Sequence, residues 1–269
     1  KILNKNIQLA QFFIFLRQQF EIEFRKDYRF NILFLKVLQN IFKSIIYMNN
    51  ALLINPKDEK EKIISFLKDV FAKQKIEKAV VGLSGGIDST VSFALLKEVL
   101  PPENIIVAHL YYFHPVFSDV EKYVRLSNIP PENIHLLSIK EAVDQISKMQ
   151  QIPSSESGKV RIGNIAARMR MIVLFDLAKQ HNALVCGTEN KTENLLSYFT
   201  RFGDQASDIE PIEHLYKTQV FQLAKYLDVP EEIINQDPTA GLWHGQTDEG
   251  EFGFTYKEAD EVLFLSEEK

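Results

Sequence analysis

The stretch Val80-Val81-Gly82-Leu83-Ser84-Gly85-Gly86-Ile87-Asp88-Ser89-Thr90 decides how this chain folds. Its first apolar residues predict a buried strand, its glycines predict a turn, and the apolar spacing over residues 91–100 predicts a helix. A strand, a glycine turn and a helix place backbone N–H groups and the positive end of a helix dipole at one point. Because glycines let the backbone approach a ligand closely, the stretch predicts a phosphate site.

The polar side chains of this loop narrow the kind of phosphate site. Ser84 and Ser89 add hydroxyl donors, and Asp88 adds a carboxylate that suits phosphate only if a cation such as Mg²⁺ joins the two. A Walker-type loop would need a Lys-Ser/Thr pair where Ile87 and Asp88 stand. The alternative interpretation is a glycine turn that merely closes an ordinary strand–helix unit.

Length and composition set the class of protein. The chain has 269 residues, 45% of them apolar, a formal net charge of −5 and a single cysteine, Cys186. These values fit a globular protein and exclude a disulfide framework or a Cys-x-x-Cys pair. The mild acidity argues against a nucleic-acid partner, and no uncharged apolar run is long enough to predict a membrane span. We therefore expect a cytoplasmic protein that works without membrane contact.

Residues 1–47 differ in composition from the rest of the chain. They contain no Gly or Pro, hold eight of the twenty phenylalanines, and have apolar spacing that predicts two amphipathic helices. Met48 opens a segment of ordinary globular composition. We therefore expect residues 1–47 to be an upstream extension outside the native protein, and residues 48–269 to form one domain.

Downstream of Met48, apolar strands alternate with amphipathic helices. Helices are predicted over 58–74, 118–127, 141–149 and 162–180, strands over 104–112, 134–139 and 183–186, and a mobile polar loop over 154–158. This alternation predicts an α/β fold with a doubly wound, mostly parallel sheet and helices on both faces. Ligands in such sheets bind beyond the carboxyl ends of the strands, where Gly187-Thr188-Glu189 also lies.

Motifs around and after the fourth predicted strand carry a resemblance to a family. They are Arg161 to Met171, Gly187-Thr188 with Glu193, Phe199-Thr200-Arg201-Phe202-Gly203-Asp204 with Asp208-Ile209, Leu215-x-Lys217, and Pro238-Thr239-Ala240. With the opening loop, they resemble the ammonia-dependent NAD synthetases, which are ATP pyrophosphatases of the adenine-nucleotide alpha-hydrolase-like fold. The resemblance extends over residues 60–264.

The resemblance implies an activity and its partners. The reaction would be an ATP- and Mg²⁺-dependent amidation of deamido-NAD to NAD with ammonia, through an adenylated intermediate that leaves AMP and pyrophosphate. The chain would be a ligase and a homodimer, with the dinucleotide at the subunit interface. Free ammonia is the expected nitrogen source, because the chain lacks the length and the cysteine for an added amidase domain.

The resemblance also implies a role for particular residues. The residues that would bind ATP are Gly82, Leu83, Ser84, Gly85, Gly86, Ile87, Asp88, Ser89, Thr188, Lys217 and Thr239. Those that would contact deamido-NAD are Arg168, Arg201 and Asp208. Asp88 and Glu193 would share Mg²⁺, and Asp88 and Lys217 would be catalytic. Arg201 stands where the family has lysine, so the charge is kept but a planar guanidinium replaces a compact ammonium.

Several of these residues also have a purely structural interpretation. Arg168 could be a solvated arginine on a helix face, Glu193 an acidic residue of a first helical turn, and Asp208 the cap of a turn. Thr255 and Glu258 predict a capping box. Two further structural expectations concern Asp248, expected in a solvated loop, and Cys186, expected in the core.

Two other functions remain open from the sequence. Another ATP pyrophosphatase, one that adenylates tRNA or a small carboxylate, would share the opening loop, and so would a non-catalytic nucleotide-binding module. The first should carry sulfur-transfer cysteines or a basic RNA-binding region. The second need not keep Thr188, Glu193 and Lys217 together. The chain also stops at Lys269, short of the basic segment that follows in the family, so we expect either a truncated sequence or the absence of that dinucleotide contact.

Overall fold

The computed structural model describes residues 52–113, 118–239 and 246–267. The extension predicted for residues 1–47, the proposed start at Met48 and the chain end at Lys269 lie outside the described residues. No helix within these ranges is long and apolar enough to cross a membrane.

A four-stranded parallel sheet forms the centre of the described fold, with strand order β3-β2-β1-β4. The strands are β1 Ala79–Gly82, β2 Ile105–Tyr111, β3 Ile134–Ser138 and β4 Leu184–Cys186. The chain moves outward from β1 through β2 to β3 and then returns to add β4 on the other side of β1. The carboxyl ends of β1 and β4 therefore flank the point where the strand order reverses, which is where such sheets bind ligands.

Helices connect and cover these strands. They are α1 Pro56–Gln74, α2 Ile87–Lys97, α3 Ser118–Leu126, α4 Lys140–Met149, α5 Glu156–His181, α6 Lys191–Leu196, α7 Lys217–Tyr226, α8 Glu231–Ile234, α9 Asp248–Phe252 and α10 Tyr256–Glu267, with 3-10 turns at Pro102–Asn104 and Pro131–Asn133. The predicted strands and helices are confirmed, with two corrections to where helices begin. One is α2, which begins at Ile87 rather than after Thr90.

Helices lie on both faces of the sheet, because successive strand residues point to opposite sides. Val81 packs with Val91 of α2 in one core cluster, which α1 and α7 also join. Val80 packs in the other cluster with Val143 of α4 and Leu177 of α5. Both strand residues are fully buried. The predicted doubly wound α/β fold is therefore confirmed.

The second correction concerns the segment predicted as a mobile polar loop over 154–158. Helix α5 already begins at Glu156, and the Ser155 side chain accepts a hydrogen bond from the Gly158 N–H at 3.2 Å. A serine cap and an acidic first turn favour a helix start even where no apolar residue helps. Gly158 is required sterically, since a Cβ there would lie 1.9 Å from the Pro153 carbonyl oxygen.

Candidate active site

The glycine loop ends in an uncapped helix N-terminus. Helix α2 follows Gly86, at which no side chain supplies a cap, and Gly85 has a φ of 104°, which an L side chain rarely adopts. The N–H groups of a first helical turn have no partner inside the helix, so they can bind an anion here. The side chains of Leu83 and Ile87 are buried in the core, which leaves only their backbone for a ligand.

The two loop serines have different surroundings. The buried Ser89 hydroxyl donates to the Gly86 carbonyl at 3.0 Å and lies 3.2 Å from the Ser84 hydroxyl oxygen. Ser84 is exposed, and its hydroxyl oxygen accepts from the Gly86 N–H at 3.2 Å. Ser89 therefore holds the shape of the loop, whereas Ser84 lies at the surface where a phosphate would arrive.

The Lys217 ammonium lies between two carboxylates that come from different helices. Its Nζ is 2.5 Å from Asp88 Oδ2 and 3.3 Å from Glu193 Oε1, and Lys217 is only 2% exposed. Asn190 donates from Nδ2 to the other oxygen of Asp88 at 3.0 Å and caps α6 in a capping box with Glu193. The structure thus brings together Asp88 of α2, Glu193 of α6 and Lys217 of α7.

The electrostatics of this group favour an ionised lysine. Burial lowers the pKa of Lys217, but the adjoining carboxylates of Asp88 and Glu193 outweigh it and raise the pKa above its ordinary value. Burial raises the pKa of Glu193, and Lys217 opposes that rise. In a buried ion pair of this kind, the attraction between the charges offsets the cost of taking them out of water. Removal of one partner therefore leaves a desolvated charge.

The same carboxylates have the chemistry that a Mg²⁺ ion requires. Asp88 and Glu193 converge on one cation, the Lys217 ammonium, and hard carboxylate oxygens are the ligands that Mg²⁺ prefers. No group of three or more His, Cys, Asp or Glu side chains among the described residues could hold a metal ion by itself. Two carboxylates suit Mg²⁺ nonetheless, because it usually keeps waters and substrate phosphate oxygens as its remaining ligands.

A second group of carboxyls lies beside the first and was missed by the sequence analysis. Glu189 is 6% exposed, and its Oε2 atom is buried without a hydrogen-bond partner. Burial raises the pKa of Glu189, and the nearby carboxyls of Glu193, Asp204 and Glu210 add to the rise. Burial also raises the pKa of Glu210 to about 7. The signal that could have found this group was Glu189 itself, which directly follows Gly187-Thr188 at a strand end.

Gly187 allows Glu210 to reach this group. A Cβ on Gly187 would lie 1.8 Å from Glu210 Oε1. The other oxygen of Glu210 accepts from the Glu189 N–H at 3.2 Å, and Ser207 donates to Oε1 at 2.7 Å. The glycine of the Gly-Thr motif is therefore needed because a carboxylate occupies the space of its missing side chain.

The residues predicted to contact a dinucleotide lie near the surface. Arg168 is exposed on α5 and donates from Nε to the Arg201 carbonyl at 3.2 Å, so these two residues are brought together. The Arg201 guanidinium lies 4.7 Å from the centre of the Phe202 ring. Asp208 is also exposed, but its Oδ2 accepts from the Val185 N–H of β4 at 2.8 Å. Asp208 thus holds its segment against β4, which differs from the turn cap of its structural interpretation.

The two threonines predicted to bind ATP lie on different segments of the chain. Thr188 is half-buried and follows β4 after Gly187, next to Glu189 in the sequence. Thr239 is exposed, and the preceding Pro238 carbonyl accepts from the Asp248 N–H at 2.9 Å. Thr239 therefore follows a residue that is hydrogen-bonded to the start of α9.

The segment of α9 and α10 contributes buried polar groups that the sequence analysis assigned wrongly. Asp248 is 4% exposed, and its carboxylate accepts from the Tyr256 hydroxyl at 2.8 Å and the Tyr198 hydroxyl at 3.1 Å. The expectation of a solvated loop at Asp248 is wrong, because two tyrosines cover it. The predicted capping box is confirmed, with the Thr255 N–H donating to Glu258 Oε2 at 2.8 Å and the Glu258 N–H to Thr255 Oγ1 at 3.2 Å.

The single cysteine is a core residue, as expected. Cys186 is 2% exposed at the end of β4, and burial raises the pKa of its thiol well above the ordinary value. A thiol in that state is not a nucleophile.

The chain is similar to known proteins over most of its length. The sequence profile of the family described as NAD synthase matches residues 59–269. An NH(3)-dependent NAD(+) synthetase from Fusobacterium nucleatum is 40% identical over 215 residues, which cover 80% of this chain and 82% of the relative. One from Thermoplasma acidophilum is 42% identical over 205 residues, which cover 76% and 82% of the two chains.

Solved structures give the same picture. The NMN synthetase from Francisella tularensis is 39% identical, with a TM-score of 0.71 over 78% of this chain and 87% of that one. The NH3-dependent NAD synthetase from Campylobacter jejuni, solved with a nitrate ion, is 31% identical, with a TM-score of 0.64 over 81% and 86% of the two chains.

Proposed function

Since the chain belongs to the NAD synthase family, we propose that it joins ammonia to deamido-NAD at the expense of ATP, giving NAD, AMP and pyrophosphate. The observation that carries the proposal is the Lys217 ammonium held between Asp88 and Glu193 beside an uncapped helix N-terminus. That arrangement combines the donors that a triphosphate needs with the carboxylates that its counterion needs.

In the first step, the nicotinate carboxylate of deamido-NAD attacks the α-phosphorus of ATP, and the bond to the β-phosphate breaks. Negative charge develops on the departing pyrophosphate, where the N–H groups at the start of α2 and the Lys217 ammonium stabilise it. Bound by Asp88 and Glu193, Mg²⁺ would act as a Lewis acid on the phosphates. No side chain has to serve as a nucleophile, because the substrate carboxylate fills that role.

In the second step, ammonia attacks the acyl carbon, AMP leaves and the amide forms. The carboxyls of Glu189, Asp204 and Glu210 suit the nitrogen source, since an ammonium ion is small, cationic and rich in hydrogen-bond donors. The buried Glu189 Oε2 atom without a partner supports this placement. Because burial raises the pKa of Glu210 to about 7, its carboxylate form can accept the proton that ammonium must release before it attacks.

The acceptor is proposed to be the dinucleotide, contacted by Arg168, Arg201 and Asp208. All three residues are exposed, which suits a large substrate better than a small one. Arginine side chains suit its phosphates through bidentate contacts. Nicotinate mononucleotide is the competing acceptor, because the Francisella relative is called an NMN synthetase.

A homodimer is part of the proposal. Helix α5 carries Arg168 and two exposed apolar residues, Val160 at 49% and Ile172 at 53% exposure, and Phe202 beside Arg201 is 62% exposed. Apolar side chains around an exposed substrate contact are typical of a surface that a second subunit covers. Light scattering on the purified chain should give the mass of two chains. A monomer with full turnover would contradict this part of the proposal.

The deciding experiment mixes the protein with deamido-NAD, ATP, Mg²⁺ and ammonium, and follows the products by chromatography. NAD and AMP should appear in equal amounts and only when ammonium is present. A parallel reaction with nicotinate mononucleotide tests the smaller acceptor, and one with tRNA tests another ATP pyrophosphatase. Release of ADP, or AMP formation that needs RNA, would overturn the proposal.

A further inference from the structure

One face of α10 contacts the segment that carries Lys217. The residues of that face are spaced three or four apart, so they lie in one line along the helix, and they are Tyr256, Asp260, Phe264 and Glu267. We propose that α10 is a positioning element for the Lys217 ammonium, with Tyr256 and Asp260 as its two positioning residues. The proposal deepens the proposed function, and its kinetic part rests on that function.

Asp260 acts on the backbone at Lys217. It is fully buried, and its Oδ2 accepts from the Thr218 N–H at 2.8 Å while its Oδ1 accepts from the Thr192 hydroxyl at 2.5 Å. The Thr192 hydroxyl oxygen in turn accepts from the Lys217 N–H at 2.8 Å. These bonds satisfy first-turn N–H groups of α7, and a carboxylate at a helix N-terminus is favoured by the dipole. The position of the Lys217 backbone is therefore set by α10.

Tyr256 acts on the other end of the same side chain. Its buried ring lies 4.8 Å from the Lys217 ammonium, a distance at which the negative face of the ring attracts a cation. Its hydroxyl donates to Asp248 Oδ2 at 2.8 Å, which fixes the plane of the ring. Burial, with Glu193 and Asp248, raises the pKa of Tyr256, so the hydroxyl stays protonated and keeps donating.

The residue before Lys217 is also held by α10. The Tyr216 hydroxyl donates to Glu267, and its ring meets Phe264 edge-on with 6.3 Å between the centroids. Lys191, the first residue of α6, forms an ion pair with Glu267 at 2.5 Å. The residues at 216, 217 and 218 are thus all contacted by one helix, and this concentration at Lys217 is what distinguishes positioning from ordinary packing.

The kinetic test separates the ring of Tyr256 from its hydroxyl. Tyr256→Leu removes the ring face, and we expect it to lower kcat about tenfold while the KM for ATP changes less than about threefold. Tyr256→Phe keeps the ring but loses the hydroxyl bond to Asp248, so its kcat should fall clearly less than that of the Leu variant, by about threefold. Val262→Ala is the matched control, because Val262 lies on the same helix and is 67% exposed. Equal kcat in the Leu and Phe variants would overturn the proposal.

A thermal double-mutant cycle tests the same idea without substrate. We expect Tyr256→Leu to lower the melting temperature less in the Lys217→Met background than in the parent chain, because the ring then has no cation to contact. Equal losses in both backgrounds would overturn the proposal, even if NAD formation itself is never observed. If Tyr256→Leu fails to fold, Tyr256→Met takes its place with the same two expectations.

The hydrogen bonds by which Asp260 holds the backbone at Lys217 are tested with Asp260→Asn. An amide of the same size can accept from only one of the two donors, so α7 should lose part of its anchor at Lys217. We expect a fall in kcat with little change in the KM for deamido-NAD. A variant with unchanged kcat and a lowered melting temperature would assign Asp260 to stability alone and remove it from the proposal.

Discussion

Two sets of carboxyl groups lie side by side at the carboxyl end of the sheet and differ in what neutralises them. The paired set is Asp88 and Glu193, which share the Lys217 ammonium. The unpaired set is Glu189, Asp204 and Glu210, and no described Lys, Arg or His forms a salt bridge with it. The paired set thus has its own cation among the described residues, whereas the unpaired set, of which Glu189 is buried, has none.

The difference separates two tasks in one site. A buried carboxylate is stable only when a charge or hydrogen bonds compensate for its desolvation. Lys217 supplies that compensation to the paired set, because its ammonium lies between the two carboxylates. The unpaired set has no such cation in the described part of the chain; burial and the neighbouring carboxyls raise the pKa of Glu189, whose Oε2 atom is left for a ligand. We therefore propose that the paired set serves adenylation and that the unpaired set serves the nitrogen source.

The largest effect is expected from removing the cation of the paired set. Lys217→Met leaves two buried carboxylates facing each other, and the free energy of unfolding should fall by about 3–5 kcal/mol. Turnover should fall by at least about a hundredfold, because a charge that stabilises the departing pyrophosphate is lost. Denaturant titration and the NAD assay measure the two losses.

Lys225→Met is the matched control for this loss, since Lys225 is exposed on the same helix. Its free energy of unfolding should stay within about 0.5 kcal/mol of the parent value. A Lys217→Met variant as stable as this control would show that the paired set does not depend on its lysine.

The next largest effect is expected from Asp88→Asn, which removes one charge of the paired set but keeps its size. Turnover should fall by about a hundredfold or more, because both Lys217 and the counterion of ATP lose a carboxylate. Binding of deamido-NAD, measured by calorimetry, should change much less. Asp69→Asn, exposed on α1, is the control. Unchanged turnover in Asp88→Asn would refute the assignment of the paired set.

A smaller effect, of opposite sign, is expected from the unpaired set. Glu189 has a pKa above its ordinary value of 4.5, so the folded chain holds a proton that the unfolded chain releases as the pH rises through that value. The contribution of Glu189 to the stability of the parent chain therefore falls as the pH rises above 4.5. Glu189→Gln does not titrate, and we expect it to be more stable than the parent by about 1–2 kcal/mol near neutral pH.

The gain in Glu189→Gln should disappear below about pH 4.5, where both states of the parent are protonated. Melting temperatures measured across this range check the expectation, with the exposed Glu61→Gln on α1 as the control. A variant that is less stable than the parent at neutral pH would mean that Glu189 is held as a carboxylate, and the contrast between the two sets would fail.

The sequence predicts the paired set better than the unpaired one, for a physical reason. Asp88 and Glu193 belong to motifs at the ends of two strands, and parallel strands bring their carboxyl ends to one edge. Glu210 reaches the same edge only because Gly187 leaves room for it, which no pattern of residues reveals. Strands and helices were likewise predicted from their apolar periodicity, whereas the start of α5 depends on a cap and an acidic first turn.

The role of α10 was hidden from the sequence for a similar reason. Thr255 and Glu258 identify where the helix begins, and the structure confirms that capping box. Tyr256 and Asp260, however, contact residues about forty positions earlier in the chain. Apolar periodicity shows which face of a helix is buried but not which distant residues that face contacts. The sequence analysis expected Asp248 in solvent because it did not reveal the two tyrosines that cover this residue.

The measurement that tests the division between the two sets most directly is pyrophosphate–ATP exchange, compared with NAD formation in the same variants. Exchange reports adenylation of deamido-NAD without ammonia. In Glu189→Gln we predict exchange within about threefold of the parent rate and NAD formation reduced by at least about tenfold. In Asp88→Asn both rates should be lost together. Exchange that falls as far as NAD formation in Glu189→Gln would contradict the account, since both sets would then serve one step.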